Sequence, residues 1–167
     1  IRRVHLRSLH GLRSFDHQTY SNSEFVCIRK SLLDRVPPEI VNVDTYIDLR
    51  IHSRGYPVFP SRRAKVLIRL PENASDYVAQ RRRIYFGHMQ IRKIFGKYAA
   101  SMEGIFSKNP RLVFGSAVQE LRISPRLFIE VWPALLLDLL SYLLASVDFA
   151  LRTDHVRWKP ISSSKWW

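Results

Sequence analysis

The residues best suited to chemistry lie in AQRRRIYFGH, positions 79–88. On a helix, Gln80, Arg83 and Gly87 share one face at i, i+3 and i+7. The planar fork of donors on Arg83 matches the oxygens of a phosphate. Gln80, one turn earlier, can hydrogen-bond a hydroxyl or steer the arginine. Gly87, one turn later, removes a side chain and lets a ligand approach. Nucleic acid, an anionic membrane surface and a diphosphate pocket all fit this pattern. A solvated basic face is the plainer alternative, with Arg81 and Arg82 pointing elsewhere. His88 either reaches the same pocket from the next turn or is a packed, hydrogen-bonded helix histidine. Asp44, in NVDTYIDL, falls at the first turn of a helix, where an acid suits the dipole. Asp48, a turn further on, reads as a surface partner of Arg50 or Arg54.

Composition narrows the partners without choosing one. The 167 residues carry 27 Lys+Arg against 14 Asp+Glu, a formal charge of +13. Such a balance predicts anionic partners: nucleic acid, phospholipid headgroups or phosphorylated small molecules. Cys27 is the only cysteine, which excludes an intrachain disulfide and a cysteine-based metal cluster. His5, His10 and His17 match no common metal spacing and read as solvated. The chain opens IRRVHLRSLH, with no initiator Met and no signal-peptide core. That points to processing or to a piece of a longer chain.

The elements that must position these residues read as α/β. Residues 1–22 are basic and irregular. SEFVCIR (23–29), YPVF (56–59) and AKVLIRL (64–70) are strand candidates, and SLLDRV (31–36) is a helical turn stopped by Pro37-Pro38. Val43, Ile47 and Ile51 recur on one helix face, with Gly55 as its C-terminal cap. The order strand, helix, strand suggests an α/β arrangement. A long helix then starts at Asn73 or Ser75, with Asp76 in its first turn. It carries a stripe of Tyr77, Ile84, His88, Ile91 and Phe95 and ends near Gly96. Residues 99–125 are mixed, with breaks at Asn109-Pro110 and Ser124-Pro125.

RLFIEVWPALLLDLLSYLLASVDFALR (126–152) is the most apolar stretch. Glu130, Asp138 and Asp148 argue against a membrane span, since each mid-bilayer charge costs roughly 3 kcal/mol. On a helix the three acids fall within about 80° of one another. The stretch is therefore an amphipathic helix with Pro133 in its first turn, either a core or interface helix or one seated on a membrane surface. Trp158, Trp166 and Trp167 in the basic tail can anchor at a headgroup layer or pack.

In sequence order, SEFVCIRKSLL, VPPEIVNVDTYIDLRIHSRGYPV, a basic strand and PENASDYVAQRRRIYFGH resemble the C-terminal half of family 2 glycosyltransferases, archaeal members above all. The family's acidic motif reads Val43-Asp44 here, and its Gln-x-x-Arg motif reads Gln80-Arg81-Arg82-Arg83-Ile84. Val43 stands in place of the usual first acid and Ile84 in place of the commoner Trp. The resemblance implies part of a nucleotide-diphospho-sugar transferase (GT-A type) α/β domain. Residues 1–22 would be a basic lead-in, 23–97 the acceptor and catalytic half, and 98–167 a helical extension. It implies inverting transfer of a sugar from a nucleotide-diphosphate donor to a hydroxyl acceptor, lipid-linked or polysaccharide, at the cytoplasmic face of a membrane. Asp44 would be the base. Arg83, oriented by Gln80 and joined by His88, would meet the departing diphosphate, and Ser23 and Glu24 would line the acceptor cleft. The complete enzyme would use Mg²⁺ or Mn²⁺. No Asp-x-Asp metal motif occurs in the 167 residues, so the donor-binding N-terminal half is expected as a missing partner and the chain alone as nearly inactive. The alternatives are a small basic nucleic-acid binder, weakened by the scatter of the arginines, and a peripheral membrane protein.

Overall fold

In the computed structural model, residues 26–33, 35–57, 70–97, 109–123 and 126–157 are described. They form a short 3-10 turn at Lys30–Leu32 and four α-helices: α1 (Val43–Ser53), α2 (Ala74–Phe95), α3 (Pro110–Ile123) and α4 (Arg126–Ala150). Local chemistry sets most of these ends. The Asn73 side chain accepts a hydrogen bond from the Asp76 backbone N–H at 2.8 Å and caps α2. Gly55, at φ 80°, closes α1. Its N–H donates to the His52 carbonyl at 2.9 Å and that of Tyr56 to Ile51 at 3.3 Å, a Schellman turn. Pro110 opens α3, where its missing N–H costs nothing. The stretch expected to be mixed is thus in part a helix, set between its two Xaa-Pro breaks.

The α/β expectation is overturned: the described residues are helical, with no strand among them. Val26–Arg29 is irregular and runs into the 3-10 turn, while Tyr56, Pro57 and Leu70 are irregular as well. The remaining strand candidates, at 23–25, 58–59 and 64–69, lie outside the described residues. The physical reason is that a β-rich run of four to seven residues gains its stability only from a neighbouring strand. The described chain offers helices as neighbours instead.

Helices α2 and α4 lie side by side and run in the same direction. Tyr77 meets Asp138, Tyr85 meets Tyr142 edge-on with ring centroids 5.6 Å apart, and Phe86 meets Phe149 at 5.7 Å. Ser141 and Ala145 on α4 are fully buried, and their small side chains let α2 approach. Val41, Tyr85, Phe86 and Ala145 form one core cluster, with Met89 and Phe149 packed against it. Leu49 and Ile91 form a second, joined by Tyr46 and Phe95. Two helix faces differ from expectation. Val43 is exposed, and α1 buries Asp48, Leu49 and Ile51, so Asp48 is not a surface residue. Pro133 lies inside α4 rather than in its first turn, because the helix begins at Arg126.

The orientation of α4 is the main surprise. Asp138 and Asp148 turn inward. Asp138 accepts from Arg81 Nε at 2.7 Å and from the Tyr77 hydroxyl at 3.1 Å. Asp148 takes both Nε and Nη2 of Arg82 in a bidentate pair and meets His155 Nε2 at 2.8 Å. Burial, and then the Asp138 charge, push the Tyr77 phenol up to about 12. Burial pulls the Arg81 guanidinium down, but Tyr85 and Asp138 together outweigh it and raise it. The leucines turn outward: Leu135, Leu136, Leu139, Leu140 and Leu143 are each about half exposed. In water that arrangement forfeits on the order of 5 kcal/mol of burial, more than the ion pairs on the inner face return as net stability.

The Asp148 pairings make a test of the seam. Hydrogen bonding from Arg82 holds the Asp148 carboxyl below its ordinary range; burial opposes this and His155 reinforces it. A depressed folded value stabilises above the unfolded-state value of about 3.9 and loses that stability as pH falls through the folded value. Thermal stability should therefore fall off below about pH 4, and Asp148→Asn should flatten that acid limb. At neutral pH the same substitution should cost about 2 kcal/mol in urea unfolding, at the low end for a broken pair because Arg82 keeps partial solvent contact.

Candidate functional site

Three consecutive arginines on a helix point about 100° apart, and each has a different destination. Arg81 goes to Asp138 and Arg82 to Asp148, both on α4. The Nη2 of Arg83 donates to the Val41 carbonyl at 3.1 Å, on the opposite side of α2. The basic run is therefore no continuous cationic patch. Arg81 and Arg82, read from sequence as pointing away from the Arg83 face, hold the α2–α4 seam.

The Arg83 side of α2 is a docking strip for the segment that enters α1. Gln90 grips that segment twice: its Oε1 accepts from the Val41 N–H at 3.0 Å, and its Nε2 donates to the Glu39 carbonyl at 3.0 Å. Asn42, just before α1, is buried and donates from Nδ2 to the Ile84 carbonyl at 3.1 Å. Gly87 makes this approach possible, since a Cβ there would sit 2.4 Å from Asn42 Cγ. The glycine does admit a neighbour, as its face suggested, but the neighbour is Asn42 and not a ligand.

This docking brings Asp44 and Arg83 to one side of the molecule. Asp44 stands in the first turn of α1 and is exposed. Burial lowers the Arg83 guanidinium from its ordinary value, and the Asp44 charge opposes that drop. The other candidates fare differently. Gln80 is half-buried and lies about 60° round α2 from Arg83. His88 is half-buried and about 140° away, outside the Arg83 strip. Ser23 and Glu24 lie outside the described residues. Gln90 and Asn42 were missed, although Gln90 continues the Gln80–Arg83–Gly87 stripe by one more turn and was readable from that spacing.

An open groove of about 700 Å³ adjoins this strip where α2 and α4 end, sharing Glu39 and Gln90 with it. Ile40, Phe86, Ile94 and Phe149 give it an apolar floor, Lys93 and Arg152 bring cations, and Glu39 and Asp154 bring carboxylates. His155 forms one wall, fixed by Asp148 and tilted 48° against the Phe86 ring with centroids 4.6 Å apart. Arg152 adopts φ 55°, the left-handed conformation usually left to glycine at a helix end. Its N–H donates to the Phe149 carbonyl at 3.3 Å and that of Thr153 to Asp148 at 2.9 Å. Neither Asp44 nor Arg83 lines this groove.

Among the described residues there is no cluster of three or more His, Cys, Asp and Glu side chains able to hold a metal ion. Comparison with known proteins adds no family: the chain matches no protein-family model, no curated protein and no solved structure.

The Gly87–Asn42 contact predicts strong coupling. Gly87→Ala should destabilise by about 2 kcal/mol, because the methyl must displace a buried, hydrogen-bonded Asn42. In an Asn42→Ala background the same change should cost less than about 1 kcal/mol. A double-mutant cycle by chemical denaturation checks this, and additive costs would remove the close contact.

Proposed function

We propose that Asp44 and Arg83 are the base and the diphosphate-stabilising cation of an inverting sugar transferase. The carrying observation is their convergence from two helices, with an exposed carboxylate whose charge acts on a half-buried guanidinium. The resemblance of the Val43-Asp44 and Gln80–Ile84 motifs to family 2 glycosyltransferases supplies the chemistry. The acceptor hydroxyl attacks the anomeric carbon of a nucleotide sugar while Asp44 takes its proton. The bond from that carbon to the diphosphate oxygen breaks, and the electron pair leaves with the nucleoside diphosphate. Arg83, anchored by the Val41 carbonyl, stabilises the charge that develops there.

The described residues offer no donor set suited to Mg²⁺ or Mn²⁺, and no step above is routed through one. In this reading the nucleotide and its metal are bound by a donor-binding unit distinct from these helices. Gln80 lies close enough on the same face to contact the acceptor or donor. A hydroxyl on a lipid-linked acceptor, at the cytoplasmic face of a membrane, suits the outward leucines of α4.

Two measurements test this reading. Inorganic pyrophosphate, the part of the donor assigned to Arg83, should bind the full chain in calorimetry, and Arg83→Gln should weaken that binding about tenfold. With a panel of nucleotide sugars and Mg²⁺ or Mn²⁺, any diphosphate release should be slow and should fall by about 10²–10⁴ in Asp44→Asn. Pyrophosphate binding that is absent, or indifferent to Arg83, removes the proposed role of that residue. Release that is equal in the wild type and Asp44→Asn removes the base.

A further inference from the structure

We propose that α4 lies flat in the headgroup layer of an anionic bilayer, with Lys93 and Arg152 in the groove at its end binding a phospholipid phosphate. The inference stands on the α2–α4 pair alone and does not require sugar transfer. Trp132, Leu135, Leu136, Leu139, Leu140, Leu143 and Val147 are all exposed. At 100° per residue they cover an arc of about 140° on α4. Asp138, Ser141 and Asp148 face α2 instead, and Ser146, within the outer arc, spends its hydroxyl on the Tyr142 carbonyl at 2.8 Å. Polar inside and apolar outside is the arrangement for a helix whose outer medium is lipid.

Length and composition alone would let Val131–Ala150 cross a membrane. Its neighbour forbids that. Helix α2 runs alongside α4 from Tyr77 to Phe86 and carries Arg81, Arg82 and Arg83. Immersing both helices would bury those charges and the docked α1 segment in hydrocarbon. Only the outer face of α4 can enter lipid while α2 stays in water, which sets α4 parallel to the membrane plane.

Charge selects an anionic surface. The chain carries +13, and Lys93, Arg152 and Arg157 gather near the end of α4 as exposed side chains. The groove there pairs its apolar floor with Lys93 and Arg152, a combination suited to the glycerol-phosphate region of a lipid. Glu39 and Asp154 also line it and favour a phosphate seated toward the two cations. The left-handed backbone of Arg152 points the same way. Glycine would be the easier residue at that turn, and a strained arginine there marks its side chain as used.

The test is flotation of the full chain with vesicles of phosphatidylcholine alone or mixed with phosphatidylglycerol, at low and high salt. The chain should float with the mixed vesicles at low salt and lose most of that binding at high salt. Leu139→Glu with Leu143→Glu, both on the exposed face, should lower vesicle affinity at least about 100-fold while the melting temperature holds. Arg152→Gly should weaken binding to the mixed vesicles about fivefold and leave the melting temperature unchanged or higher. Equal binding of Arg152→Gly and the wild type overturns the phosphate site. Failure to float with either vesicle, or a soluble dimer that the Leu139/Leu143 pair of substitutions dissociates, overturns the membrane seating.

Discussion

Everything in the described fold turns on how α2 distributes three adjacent guanidinium groups. A helix advances about 100° per residue, so neighbours in sequence cannot serve the same neighbour in space. Arg81 and Arg82 take the acids of α4, and Arg83 takes a carbonyl of the segment entering α1. One run of sequence thereby ties together two otherwise separate faces. The seam with α4 is ionic and half-buried, and ionic seams are unforgiving of a missing partner: a stranded buried charge costs more than the pair contributes. Orientation follows from this. Once Asp138 and Asp148 are committed to α2, the leucines between them have no choice but to face outward.

The opposite face works by backbone recognition. Gln90 holds both an N–H and a carbonyl of the 39–41 segment, Arg83 adds a second bond to Val41, and Asn42 reaches back to Ile84. An irregular segment has unsatisfied peptide groups that must find partners when buried. Here the partners are long polar side chains of one helix, so the position of Asp44 is fixed by hydrogen bonds as much as by packing. Gly87 sets the spacing. A residue that looked like room for a ligand is the gap that lets the segment entering α1 lie against α2.

How far the sequence told this in advance depended on the range of the interaction. Local rules held: the Asn73 cap, the Gly55 turn, and the existence of α1, α2 and α4 all follow from residues within a few positions of one another. Pairing Asp44 with Arg83 came from reading the two motifs together, and the docking of the 39–42 segment on α2 is what makes that pairing available for the proposed chemistry. The α/β expectation failed because strand propensity is local while strand formation is not. The facing of α4 stayed open for a related reason. Its periodicity showed an acidic stripe opposite an apolar one, but which stripe turns inward depends on the arginines of another helix. Charge complementarity across some sixty residues of sequence decided it, and no window along α4 contains that information.

The two faces of α2 place the candidate chemistry relative to a surface. With α4 as the layer nearest lipid, the segment entering α1 leans on both helices: Val41 shares a core cluster with Ala145 of α4 as well as with Tyr85 and Phe86 of α2. The proposed base therefore belongs to a segment that touches the α2–α4 pair directly. The two proposed anionic sites are distinct, since Lys93 and Arg152 line the groove at the end of α4 and Arg83 does not. Arg81 and Arg82 serve neither, being paired with Asp138 and Asp148, because neighbours on a helix point about 100° apart and cannot share a task.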